Sequence, residues 1–244
     1  MAARRKLTGR VPPEAIVRLE FERLPEATLK SFARLTDLTG TVSDSLDLLG
    51  LQGVIPGAVL PSSMPGTRIV GQAVTVRNVE RAVTPTRAAL ERVGKMGEHE
   101  AYNLASPGDV VVIEGLTGVS NLGGQSATVA RRAKLAGAVV DGSYRDPEVA
   151  RAQRFPIWAR GVTPATGKWR LQTVAINGRV RIAGVTVDAG DLVLADDAGV
   201  VVVPYAQVDA VLSEARRIDE GDRRQRKDIA AGVGLAQIAR TRYK

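Results

Sequence analysis

Arg145 and Asp146 close the polar step Asp141-Gly-Ser-Tyr144, which itself follows the apolar run Ala136-Gly-Ala-Val-Val140. A guanidinium fork suits a carboxylate, and an adjacent aspartate is a hard oxygen donor. Side by side after a strand, the two groups read either as a turn ion pair or as an anion clamp beside a metal ligand. A second candidate is the loop Gly115-Leu-Thr-Gly-Val-Ser-Asn-Leu-Gly-Gly-Gln-Ser126. It lacks both the Gly-Lys-Ser/Thr ending of a Walker loop and the Gly-x-Gly-x-x-Gly spacing of a dinucleotide fingerprint. It does run into a helix-forming stretch. The backbone N–H groups of Gly124, Gln125 and Ser126 then make an anion site with the helix dipole behind them. A flexible turn capped by serine or asparagine is the competing reading.

Other chemistries are excluded by what the chain lacks. With no cysteine and one histidine, thiol nucleophiles, disulfides and histidine-rich metal sites are unavailable. A metal would be held by oxygen ligands, which favours magnesium, manganese or calcium. No lysine stands in the apolar strands, which argues against a Schiff base. His99, between Glu98 and Glu100, reads as a solvated surface residue, Asp44 as a helix-face or capping carboxylate, and Asp196-Asp197 as turn chemistry. Trp158 and Trp169 read as packing residues.

The surrounding elements follow from periodicity. Val110–Glu114 is a buried strand, Gln125–Leu135 a helix and Ala138–Val140 a second strand, a parallel strand–loop–helix–strand unit. Its right-handed crossover brings the glycine loop and the Arg145-Asp146 turn to one edge, at the carboxyl ends of neighbouring strands, where ligands of open α/β sheets bind. Pro147 restricts Asp146 to an extended conformation and opens the next helix. Before this unit, 25–35 and 41–49 read as helices, 69–77 as a half-buried alternating strand, and 86–104 as a helix doubtful around Gly94 and Gly97. After Phe155, short strands follow at 157–159, 172–176, 179–182, 185–187, 191–194 and 200–203, with Asn177-Gly178 as a hairpin signal. From Tyr205 the chain returns to helix. The divisions are a helical extension over 1–35, a single domain over 36–213, and a charged helical tail over 214–244.

The net charge of +8 sits at the ends. Residues 1–34 carry eight Lys/Arg against four Asp/Glu, 214–244 carry nine against five, and the body is balanced. With aromatics at 4%, this describes solvated tails at subunit contacts and argues against a nucleic-acid groove. No apolar run reaches membrane-span length, and the basic start is followed by no signal core, so a cytoplasmic protein is expected.

The blocks GGQSATVARRAKLAGAVVDGSYRD, PIWARGVTP and VTVDAGDLVLADDAGVVVVP, with TVSDSLDLLG and IVGQAVTVR before them, resemble the RraA-like family. That family includes the regulator of ribonuclease activity A and the class II 4-hydroxy-4-methyl-2-oxoglutarate aldolases. The resemblance spans roughly residues 36–205. It implies a single-domain α/β/β sandwich of the swivelling β/β/α type, with N- and C-terminal helices, assembled as a homotrimer or homohexamer. It implies that Arg145 binds a pyruvoyl substrate, that Asp146 binds Mg²⁺ or Mn²⁺, and that amides of Gly124, Gln125 and Ser126 hold the substrate carboxylate. The family pattern carries an acid twenty-two positions before the metal aspartate, where this chain has Gly124. Two functions follow as expectations. One is a divalent-metal-dependent lyase on a small 2-oxo acid, by retro-aldol cleavage or oxaloacetate decarboxylation through a pyruvate enolate. The other is a non-catalytic regulator that binds a ribonuclease or another protein.

Overall fold

The computed structural model describes residues 6–243; residues 1–5, with Arg4 and Arg5 of the basic start, and Lys244 lie outside the described residues. Apolar runs rich in valine set the framework. β1 (Val54–Pro56), β2 (Ile69–Glu80), β3 (Val110–Glu114), β4 (Gly137–Tyr144), β5 (Ile157–Val162), β6 (Leu171–Ile176), β9 (Leu192–Asp196) and β10 (Gly199–Val203) form one curled sheet. Its order is β1-β10-β9-β2-β3-β4-β5, with β6 also on β2. β7 (Val180–Ile182) and β8 (Val185–Val187) pair separately. β2 to β5 run parallel, with Val111 beside both Val74 and Ala138. β2 joins the two halves, pairing antiparallel with β9 at its start and with β6 at its end.

Strict alternation explains why the runs are apolar throughout: each side of a strand enters a different core. Val111 and Ile113 of β3 face the helical layer of α4 (Glu98–Leu104), α5 (Gly124–Arg132) and α6 (Pro147–Ala152). Val110 and Val112 face a second core with Trp158, Ile182 and Val193. In β9 and β10, Val193 and Val202 share that second core. Leu192, Leu194, Val201 and Val203 enter a third one, with Phe32 of α1 (Glu26–Ala33), Val42 and Leu46 of α2 (Leu38–Leu48) and Val211 of α7 (Val208–Ala230). The result is a single mixed α/β domain. The expected tail boundary at 213/214 falls inside the continuous α7, which is followed by α8 (Leu235–Arg240).

Several local expectations are corrected. β2 is buried on both faces from Gly71 to Val76 rather than half-buried, because Val74 and Ala73 enter different cores. α2 begins at Leu38, ahead of the expected Thr41, and ends as expected before Gly50, whose φ is 64°. The 86–104 stretch splits into α3 (Pro85–Leu90) and α4, with Gly94 and Gly97 between them. Asn177-Gly178 is no hairpin: β6 belongs to β2, and Asn177 is held by Thr75 O at 2.9 Å and Arg18 O at 2.9 Å. The hairpin turn is Ala183-Gly184, with φ of 46° and 92°, between β7 and β8.

Long-range polar contacts stitch the N-terminal segment to this body. Gln72 accepts from Leu24 N at 2.9 Å and donates to Glu22 O and Gly190 O, and Arg23 pairs with the buried Asp109. Further upstream, Glu100, fully buried at the centre of α4, accepts from Thr8 N at 2.7 Å, Thr8 Oγ1 at 2.5 Å and Gly9 N at 3.2 Å. Asn103 donates to Lys6 O at 3.0 Å. A buried carboxylate with three donors is a strong latch, and it ties down the backbone immediately before Arg10.

Candidate functional site

The crossover from β3 through α5 to β4 places the glycine loop and Arg145 on one sheet edge. The backbone carries the contact: Asn121 N donates to Ser143 O at 2.8 Å and Arg145 N donates to Leu122 O at 3.0 Å. Asn121, fully buried, completes the join with its side chain, donating to Leu116 O at 2.8 Å, Val119 O at 3.1 Å and Ser143 O at 3.1 Å. A polar chain continues from it through the sheet to α4. Asn78 donates to Asn121 at 3.4 Å, Thr173 Oγ1 donates to Asn78 at 2.7 Å, and Gly97 N donates to Thr173 Oγ1 at 2.7 Å. Sequence reasoning passed over Asn121, whose position inside a glycine-rich loop resembles ordinary turn chemistry.

Asp146 departs from its expected extended conformation. Its φ of 58° and ψ of 52° are left-handed, an unfavourable state for a residue before proline. That geometry turns the side chain back onto α5, where Oδ2 accepts from Gly124 N at 2.9 Å and lies 3.4 Å from Arg145 Nε. Asp146 is thus a remote N-cap for a helix whose own N-cap residue, Gly123, offers no side chain. The amide of Gly124, expected to face a ligand, is occupied by this carboxylate. Those of Gln125 and Ser126 have no backbone partner inside the helix's first turn. Oδ1 of Asp146 has no hydrogen-bond partner among the described residues.

A cavity of about 400 Å³ opens beside these groups, lined by Gly123, Gln125, Ser126 and Arg145 from the expected site. Its remaining wall includes Glu98, His99, Arg92, Lys168 and Arg10. His99 is therefore a cavity residue rather than a solvated surface one, its ring 5.9 Å from that of Tyr102. Its acidic neighbours suggested solvation, but the packing of α4 against α5 turns this turn of helix inward. Arg10, Arg92 and Lys168 have no carboxylate partner among the described residues, so with Arg145 they give the cavity a strongly positive wall. Lys168 also lies over the Trp169 ring at 4.4 Å. Asp44 stands elsewhere, beside Asp47 and Arg217 in a separate surface depression. Asp196 does the expected turn chemistry, accepting from Ala198 N at 2.9 Å, and also accepts from the distant Thr39; Asp197 instead accepts from the distant Gly66 N, and Trp158 is fully buried.

Gly123 is a spatial requirement. A Cβ there would stand 2.9 Å from Arg145 Nε and 3.3 Å from its Cγ. Gly123→Ala is accordingly expected to fold normally but displace the guanidinium. Pyruvate or oxalate binding by calorimetry should weaken by about tenfold, and unchanged affinity would show that Arg145 does not need this slot.

Behind the cavity wall, the buried Tyr102 OH lies 2.9 Å from Ser126 Oγ, which lies 3.3 Å from Glu98 Oε1. Burial and then the negative charge of Glu98 hold the Tyr102 phenol far above its ordinary pKa. Tyr102 thus stays protonated. Glu98 Oε2 is sequestered from solvent and has no hydrogen-bond partner among the described residues. Among the described residues no cluster of three acidic or histidine side chains is arranged to hold a metal. The donor set fits a cation that takes one carboxylate, Asp146 Oδ1, and fills its other positions with water and substrate oxygens, as Mg²⁺ does.

Fold and edge together define an α/β protein with a positively walled cavity at the carboxyl ends of parallel strands. The chain belongs to the RraA-like family, Aldolase/RraA, whose pattern matches residues 39–202. It is 30% identical over 198 residues to protein DlpA of Legionella pneumophila, covering 80% of this chain and 31% of DlpA, so it spans about a third of that relative's length. It is 29% identical over 192 residues to a putative 4-hydroxy-4-methyl-2-oxoglutarate aldolase of Halalkalibacterium halodurans, covering 77% of this chain and 91% of that protein. The solved structure of Streptomyces coelicolor RraAS2, an unusual member of the RNase ES inhibitor RraA protein family, superposes with a TM-score of 0.67 at 27% identity, covering 87% of this chain and 99% of that one. The family thus contains both aldolases and RraA regulators. No helix among the described residues is long and apolar enough to cross a membrane.

Proposed function

We propose that this chain is a divalent-metal-dependent lyase acting on a small 2-oxo acid, cleaving a 4-hydroxy-2-oxo acid or decarboxylating oxaloacetate to a pyruvate enolate. The observation that carries this reading is the convergence of Arg145 and the first turn of α5 on one positively walled cavity, with Asp146 bonded to Gly124 N and beside Arg145 Nε just outside its lining. Amides of Gln125 and Ser126 hold the 1-carboxylate, with the dipole of α5 behind them. Arg145 neutralises the charge that develops on the 2-oxo oxygen; two unit charges 4 Å apart interact by roughly 4 kcal/mol at an effective dielectric near 20. Bound at Asp146, Mg²⁺ or Mn²⁺ supplies Lewis-acid polarisation of that oxygen. Arg10, Arg92 and Lys168 on the remaining wall suit a second carboxylate on the same substrate.

Pyruvate release from oxaloacetate and from a panel of 4-hydroxy-2-oxo acids, with Mg²⁺ and with EDTA, tests the reading. Metal-dependent release is expected; its absence across the panel from correctly assembled protein would refute it. Arg10→Ala should raise KM by about tenfold for acids with a distal carboxylate and leave monocarboxylates unchanged. Equal effects on both classes would remove Arg10 from the site. Mass measurement in solution tests the homotrimer or homohexamer that family resemblance suggests.

A second reading, a regulator that binds a protein partner through the charged face of α7, is favoured by Gly124, which stands where the family pattern has an acid.

A further inference from the structure

The lyase reading leaves the proton unassigned. Cleaving a 4-hydroxy-2-oxo acid requires a base for the 4-hydroxyl, and the same proton must reach C3 of the enolate. Position 124 has no room for an acid: a Cβ there would meet Val149 Cβ at 2.8 Å and Asp146 Cβ at 3.0 Å. Asp146 is committed to the Gly124 amide and to Arg145. Glu98 is the one carboxylate in the cavity lining among the described residues. It starts α4 and reaches across to the first turn of α5.

Its two oxygens are unequally engaged. Ser126 Oγ donates to Glu98 Oε1 at 3.3 Å and shares a second hydrogen bond of 2.9 Å with the Tyr102 hydroxyl. Oε2, buried from solvent, has no donor among the described residues. A buried polar atom left unsatisfied costs about 1–3 kcal/mol, and such exceptions in native proteins call for a reason. His99, also in the wall, has no hydrogen bond among the described residues to orient its ring.

We propose that Glu98 is the general base and acid of this site, a carboxylate supplied by α4 in place of one on α5. The inference rests on the lyase reading. The Glu98 carboxylate takes the 4-hydroxyl proton and the O–H electron pair forms the C4 carbonyl. The C3–C4 bond breaks and its electrons enter the pyruvate enolate. The protonated Glu98 then delivers the proton to C3. Pyruvate and a carbonyl compound leave, and Glu98 returns to its starting state. Oxaloacetate decarboxylation needs no base for carbon–carbon cleavage, so Glu98 matters there only for protonating the enolate.

Pyruvate alone suffices for the test, because the same group removes a C3 proton in the reverse sense. In D₂O with Mg²⁺, proton NMR of pyruvate should show methyl exchange catalysed by the native protein. Glu98→Gln should slow it by about 100-fold or more, with pyruvate binding by calorimetry unchanged within threefold and Glu98→Asp restoring part of the rate. Retro-aldol kcat should fall by a similar factor at near-constant KM, and oxaloacetate decarboxylation by less than tenfold. Exchange in Glu98→Gln within threefold of the native rate overturns the role of Glu98 and leaves the lyase reading standing. A parallel loss of pyruvate binding also overturns it, since Glu98 would then only shape the cavity. Native protein that binds pyruvate but neither exchanges its methyl protons nor cleaves any acid overturns both.

Discussion

Arg145→Ala is expected to lower kcat/KM for metal-dependent pyruvate release by roughly 100- to 1,000-fold, the loss typical when one preorganised donor to a developing oxyanion is removed. The guanidinium is positioned from three sides. Its backbone N–H is tied to Leu122 O, its Nε lies 3.4 Å from Asp146 Oδ2, and Gly123 leaves the slot it occupies. Arg145→Lys should recover little, because a point charge does not reproduce the fork. Asp146→Asn separates metal binding from structure: the amide oxygen can still accept from Gly124 N, so stability should change by less than about 1 kcal/mol. Activity should nevertheless collapse, and Mg²⁺ titration should no longer give saturable stimulation. If steady-state kinetics show Arg145→Ala within threefold of the native protein, the anion clamp is a turn ion pair after all.

Asn121→Ala should have the largest effect on stability. Its buried amide serves Leu116, Val119 and Ser143 and accepts from Leu116 N at 3.3 Å, so truncation leaves several backbone groups without partners in a dry environment. At about 1–3 kcal/mol for each group left unsatisfied, and with partial relaxation, the loss should be near 3 kcal/mol. For a domain of this size that is a drop in Tm of roughly 6–12 °C. Because the same network runs through Asn78 and Thr173 to the start of α4, activity should fall even well below the new Tm. Thermal unfolding together with kinetics at low temperature separates the two effects. A Tm within 2 °C of native, a margin on the order of 1 kcal/mol, would mean the loop does not depend on this residue.

Much of this was readable in the chain. Val110–Glu114 and the strand after it are apolar without interruption because each side of the sheet meets a core, and that pattern alone specified a parallel unit. Topology then placed the glycine loop beside Arg145 and Asp146, as the structure has them. What escaped was decided by contacts distant in sequence. Asn177-Gly178 has a hairpin's composition, but Thr75 and Arg18 claim Asn177 for other purposes. The left-handed turn at Asp146 opposes the rule for residues before proline and is held by the bond to Gly124. Glu98, His99 and Arg10 come from segments with no motif, brought to the cavity by the packing of α4 and by the buried Glu100.

That buried glutamate has a consequence for how such a protein diversifies. Thr8 and Gly9 are fastened to α4 by bonds that ask almost nothing of the neighbouring side chain at position 10. A single substitution there can exchange cation for anion or apolar group at the mouth of the cavity without disturbing the sheet. Selectivity can thus be rewritten from the leading segment while the reactive groups at the strand ends stay as they are.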